Sequence, residues 1–214
     1  MHESSPPLSK AAAAYASLRR KIQTGELAPG ERVTLHQLAE MQGMSLTPVR
    51  EALKRLVAEG FAVHDEHVGT RIVEFTSQRV EQIYRLRTVL EPMAVRLAAQ
   101  RADDESEYIL GEFLRRTEAA QTPQQRAEAN EQFHFALYRL SGDRMLVGFI
   151  EQLWAGVPYT AQRIYRDPEG GRRSSREHRR IAEAVAAGDP ETASAELELH
   201  IGQGLMSALA SFEL

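Results

Sequence analysis

The sequence predicts a mainly α-helical chain: an N-terminal winged helix-turn-helix (three helices plus a small β-hairpin wing), then an all-α antiparallel bundle of about six helices. Three observations predict it. Residues 34–60 read as two short helices broken at Gly43, the second with polar and basic residues off its apolar face. Phe61 and Val63, then Ile72, Val73 and Phe75, read as two short strands joined through DEHVG. Beyond residue 76, apolar residues recur at helical spacing between cap and stop signals.

The elements follow in chain order. Residues 1–9 are rich in Ser and Pro and read as a disordered tail. A helix over 10–24 carries Tyr15, Leu18 and Ile22 on one face, and the turn-rich GELAPG leads out of it. Leu35, Leu38 and Ala39 give the next helix its apolar face. Ser45 is placed to cap the third, where Pro48 is tolerated in the first turn. Val49, Ala52, Leu53 and Leu56 form that helix's buried side, which leaves Thr47, Arg50 and Lys54 to project. The unit spans residues 10–76.

Residues 77–214 form the second unit. A helix over 78–101 places Ile83, Leu86, Leu90, Met93 and Leu97 on one side, and Asp103 or Asp104 caps the next. Thr122-Pro123 with Gln125 reads as a capping box that opens a helix stopped at Ser141-Gly142. Asp143 caps a helix through Trp154, and Pro158 ends or kinks it before Tyr165. Ser174 with Glu177 reads as a second capping box, and Asp189-Pro190 starts the last helix.

Composition narrows the function. The 214 residues carry a formal net charge of −4, so any DNA contact is a local patch. Arg19, Arg20, Lys21, Arg32, Arg50, Lys54, Arg55 and Arg71 supply one. There is no cysteine, hence neither a disulfide nor a thiolate metal site. No apolar leader and no membrane-length apolar run is present, and a cytoplasmic location is expected. In a helix-turn-helix, the N-terminal part of the second helix enters the major groove. Arg71, after Gly69 and Thr70, falls near a minor groove or a phosphate.

Three histidines share the apolar faces of three different helices: His134, His178 and His200, with Asn130 four residues before the first. Each alone reads as a satisfied interior residue; together they also read as a divalent metal site with positions left open. Arg87 lies on the flank of an apolar stripe, and burying it requires an anion. Glu91, one turn on, and a carboxylate ligand are both candidates. Tyr159 and Arg163 could reach the same cavity. An alternative of another class is a metal-dependent enzyme, although no acid or base is clearly placed beside the histidines.

The run PGERVTLHQLAEMQGMSLTPVREALKRLVAEG and the wing resemble the winged helix-turn-helix of the GntR transcription regulators. RLRTVLEPMAVRLAA, NEQFHFALYRLSGD, EHRRIAEAVAAGDPETA and His200 resemble the FCD ligand-binding domain of the FadR branch, with a helix count nearest the VanR-like subgroup. The resemblance implies a homodimeric regulator, commonly a repressor, that binds a pseudo-palindromic double-stranded DNA operator. It implies DNA contacts at Arg32, His36, Ser45, Leu46, Thr47, Arg50, Lys54, Gly69, Thr70 and Arg71. It implies a divalent metal on Asn130, His134, His178 and His200, zinc foremost and nickel, manganese or iron after it. A small organic acid would bind beside the metal, held by Arg87. Two departures stand out. Many relatives carry Asp where this chain has Asn130, which lowers the site's charge. Many carry Arg where it has Leu46, which packs on a thymine methyl but donates nothing to guanine.

Overall fold

The computed structural model describes residues 9–65, 69–74, 76–156, 168–210 and 212. The chain divides into two compact units, Met1–Phe75 and Thr76–Leu214.

In the first unit, helix α1 (Lys10–Thr24) is capped by Ser9, whose side chain accepts from the amide of Ala12, and ends at Gly25 with φ 78°. Ala14, Tyr15, Leu18 and Ile22 are buried. Helix α2 (Leu35–Gln42) opens with a full capping box between Thr34 and Gln37. Gly43 closes it at φ 59°, a conformation that costs an L-residue with a Cβ. Helix α3 (Leu46–Ala58) buries Val49, Ala52 and Leu56 against α1 and α2. Ser45 sits at its N-cap, but its side chain makes no capping bond. Leu53, expected with the buried side, is only half-buried.

The wing departs from the expected two-stranded hairpin. Strands β2 (Ala62–Asp65) and β3 (Gly69–Ile72) pair antiparallel, and a third strand, β1 (Arg32–Val33), joins β3 on its other side. Val73 lies beyond β3, while Phe75 and residues 66–68 fall outside the described residues. The tail over 1–8 also lies outside them; Ser9, expected within it, is the cap of α1.

The second unit contains six helices among the described residues: α4 (Ser77–Gln100), α5 (Asp104–Ala119), α6 (Pro123–Arg139), α7 (Arg144–Ala155), α8 (Pro168–Ala186) and α9 (Pro190–Ala210). Local caps set most boundaries. Thr76 caps α4, Asp103 forms a capping box with Ser106, Thr122 forms one with Gln125, and Asp143 accepts from the amides of Met145 and Leu146. Asp189 accepts from Thr192 at the head of α9. Helix α9 packs along α4, and α5 packs on α6 and α8. Between them lies a core including Val95, Ala98, Phe133, Leu137, Ile150, Ile181, Val185, Leu197 and Ile201.

Two expectations fail here. Ser174 and Glu177 do not cap a helix, because α8 already begins at Pro168 and both side chains point into the bundle. On α4, Leu86 and Met93 are exposed (53% and 51%) together with Val89 (63%), so they form a second, outward apolar stripe rather than part of the core face. Pro158, Tyr159, Arg163 and Tyr165 fall outside the described residues.

Candidate metal centre and nucleic-acid interface

Helices α6, α8 and α9 each bring one imidazole to a common point inside the second unit. The ligand atoms of His134, His178 and His200 all lie within 4.8 Å of one another. His134 and His178 are each 1% exposed, so the cluster is interior. Phe133 stacks on the His178 ring at 4.5 Å between centroids. Burial foremost, then the neighbouring imidazoles and Arg87, holds the pKa of His134 well below the usual range; burial and His200 do the same for His178. Both rings are therefore neutral and keep a lone pair to offer.

Hydrogen bonds on the outer nitrogens fix which atoms face inward. The Tyr138 hydroxyl donates to Oε2 of Glu91 at 2.6 Å, so its oxygen accepts from Nδ1–H of His134 at 2.9 Å. Nδ1–H of His200 donates to Oε2 of Glu177 at 2.7 Å. In the neutral His134 ring the inward Nε2 is then the unprotonated nitrogen. It faces Nε2 of His200 at 3.1 Å. Two ligands about 2.0–2.1 Å from one zinc, at angles from octahedral to tetrahedral, stand roughly 2.9–3.4 Å apart.

The remaining donors fit the same group. Asn130 is buried and its Oδ1 has no hydrogen-bond partner; neither has Nδ1 of His178, whose Nε2 lies 3.4 Å from Ser174 Oγ. An unpaired buried polar atom costs about 1–3 kcal/mol. Three imidazoles, one amide oxygen and no thiolate suit a divalent borderline metal.

Of the two partners considered for Arg87, the structure selects Glu91. Nε of Arg87 donates to Oε1 of Glu91 at 2.6 Å, and its guanidinium lies over the rings of Tyr84 and Trp154. Burial opposes its charge, but the Glu91 carboxylate outweighs burial and raises its pKa. Trp154 Nε1 donates to the same carboxylate at 2.8 Å. Glu91, Tyr138, Trp154 and Glu177 therefore form a supporting shell that sequence reasoning did not assign. The spacing held a partial signal: Tyr138 is one turn from His134, and Glu91 one turn from Arg87.

The first unit presents a separate surface. Thr47, Arg50 and Lys54 are exposed along α3, Ser45 at its head and His36 on α2; Leu46 is half-buried. Lys54 is paired with Glu51, whereas Arg50 and Arg32 have no ion-pair partner among the described residues. Strand β1 sets Arg32 directly opposite Arg71 on β3, two exposed cations side by side. Thr70 is a correction: it is buried and bonded to His64 Nδ1 at 2.9 Å, so its hydroxyl holds the wing together. The basic patch is also smaller than expected. Arg55 packs on the Tyr15 ring at 3.8 Å and donates to Glu59, and Arg19 lies over Phe61.

Comparison with known proteins agrees with this division. Residues 10–72 match the family model of the bacterial regulatory proteins of the gntR family, and residues 82–203 match the FCD domain. The uncharacterized HTH-type transcriptional regulator YdhC of Bacillus subtilis is 32% identical over 190 residues, 87% of this chain and 85% of that one. The Nta operon transcriptional regulator of Aminobacter aminovorans is 32% identical over 177 residues, 81% and 82% of the two chains. The solved structure of Escherichia coli McbR/YncC superposes with a TM-score of 0.79 at 28% identity, covering 97% of this chain and all of that one. The relatives are transcription regulators rather than enzymes. Two domains matched in order, a winged helix-turn-helix and a histidine-lined helical bundle, place this chain in the GntR family of DNA-binding transcription regulators with an FCD domain.

Proposed function

We propose that the protein is a homodimeric transcriptional repressor whose operator affinity is set by a divalent metal and a small carboxylate held in the FCD domain. The FCD domain is one known to bind metals. The observation that carries the reading is the convergence of three imidazoles, with their ligand atoms within 4.8 Å of one another and Nε2 of His134 and His200 3.1 Å apart. A bound divalent metal supplies positive charge and open coordination positions that an anion can fill.

The residues of this chain do the rest. His134, His178, His200 and Asn130 present four donors, zinc being the first candidate. Tyr138 and Glu177 orient two of them through Nδ1, as outer-shell groups do in metal sites. Arg87 holds the Glu91 carboxylate in place. On the DNA side, Thr47 and Arg50 read base edges while Ser45, Arg32 and Arg71 hold phosphates. Leu46 supplies an apolar contact. Family members bind operators typically as dimers, and the outward stripe of Leu86, Val89 and Met93 supports a second copy on α4. Ligand binding then shifts operator affinity through a coupling of about 1–3 kcal/mol.

The test is thermal unfolding of chelator-stripped and zinc-reloaded protein across a panel of small organic acids. An acid at about a hundred times its dissociation constant stabilises by roughly 2.7 kcal/mol. The reading expects one acid to stabilise only the reloaded protein and to release operator DNA in a gel-shift assay. Acids that stabilise stripped and reloaded protein equally would contradict it.

A further inference from the structure

Arg126, Asn130 and His134 are spaced four residues apart along α6, so they line one face of it from the surface inward. The outer part of that face opens into a cavity of about 130 Å³, lined also by Ser174 and His178. A water needs roughly 10–15 Å³ on this measure, so a cavity of about 130 Å³ has room for about nine to thirteen water-sized groups, enough for a small diacid. Two of its lining residues, Asn130 and His178, each carry a buried atom without a hydrogen-bond partner among the described residues, Oδ1 and Nδ1 respectively.

The cavity's charges are unequal in availability. Glu118 is paired with Arg179, and Arg172 with Glu169. Arg126 has no carboxylate partner among the described residues; its guanidinium donates from Nε to the carbonyl of Ala120, at 3.3 Å. A guanidinium offers five donors in a fork matched to a carboxylate. Arg87, by contrast, is paired with Glu91.

We infer that Arg126 is the anion-gripping residue of the effector cavity, and that the effector is a short dicarboxylic acid. One carboxylate lies at the inner end beside Asn130 and His178, and the other meets the Arg126 guanidinium. The inference rests on the metal and carboxylate reading above and adds the residue and the ligand class to it.

The experiment is calorimetric titration of zinc-loaded wild type, Arg126→Ala and Arg126→Lys with succinate and with propionate. Zinc content and circular dichroism are measured on each protein first. Wild type should bind succinate at least tenfold more tightly than propionate. Arg126→Ala should lose that preference through weaker succinate binding, and Arg126→Lys should recover part of it. Equal affinity of wild type for the two acids, or an undiminished preference in Arg126→Ala, overturns the assignment while leaving carboxylate sensing in place. Wild type that takes up zinc but neither acid overturns the assignment and the carboxylate reading together. Failure to take up zinc overturns both and the metal reading as well.

Discussion

At the scale of single residues, the candidate centre is governed by proton placement rather than by the histidines alone. Tyr138 has one proton and two neighbours that could receive it, Glu91 and His134. The charged carboxylate takes it, which assigns the His134 tautomer. Burial, with the Glu91 charge, raises the Tyr138 pKa well above its usual value, so the hydroxyl stays protonated and the arrangement persists through ordinary pH. Tyr138→Phe should therefore lower zinc affinity by roughly 10–100-fold without touching a ligand, measured by competition with a chromophoric chelator. Unchanged affinity would mean that the hydroxyl does not orient His134. On the DNA side, Arg50 is exposed, without an ion-pair partner among the described residues, and one turn into α3. Arg50→Ala should cost about 1–3 kcal/mol of operator affinity and relax the base preference at one position, read by binding to a set of operator variants. A uniform loss across all variants would place Arg50 on the backbone instead.

At the scale of elements, β1 changes how the wing engages an anion. It sets Arg32 beside Arg71, and like charges directly opposite destabilise a sheet; Glu74 is paired with Arg71, while Arg32 has no carboxylate partner among the described residues. If both contact phosphates, each alanine substitution reduces the salt dependence of DNA binding by about one unit of slope and the double substitution by about two, in titrations at several salt concentrations. A slope unchanged in either single variant removes that residue from the interface. The same strand marks the limit of what the sequence discloses. Arg32–Val33 has two residues, too few for a period, and exists because β3 offers an open edge. Where structure is local it was legible: Thr122, Asp143 and Gly43 act within one turn of themselves, as their types predict. Ser174-x-x-Glu177 has the form of a capping box but falls inside a longer helix. There the two side chains serve His178 and His200, partners that the local pattern could not reveal. Leu86 and Met93 fail for a related reason. Helical spacing says which residues share a face, not which of two apolar faces the bundle covers.

At the scale of the whole molecule, a net charge of −4 coexists with a local basic surface on the first unit, the part that matches the gntR family model, and this surface is the one proposed to meet DNA. Much of the second unit's site was legible as well, because His134, His178 and His200 stand on three helices that any antiparallel bundle brings together. The supporting shell was not, since Glu91, Trp154 and Tyr138 meet through contacts spanning 47 and 63 positions in the chain. Thermodynamic linkage joins the proposed functions: whatever factor the acid takes from operator affinity, the operator takes from acid affinity. All of this rests on whether the three imidazoles hold a metal. The most direct measurement is calorimetric titration of zinc into chelator-stripped protein, for wild type and for His134→Ala. One tightly bound zinc per chain in wild type and none in His134→Ala is the predicted result. Equal uptake by the two proteins, or no uptake by wild type, would contradict it.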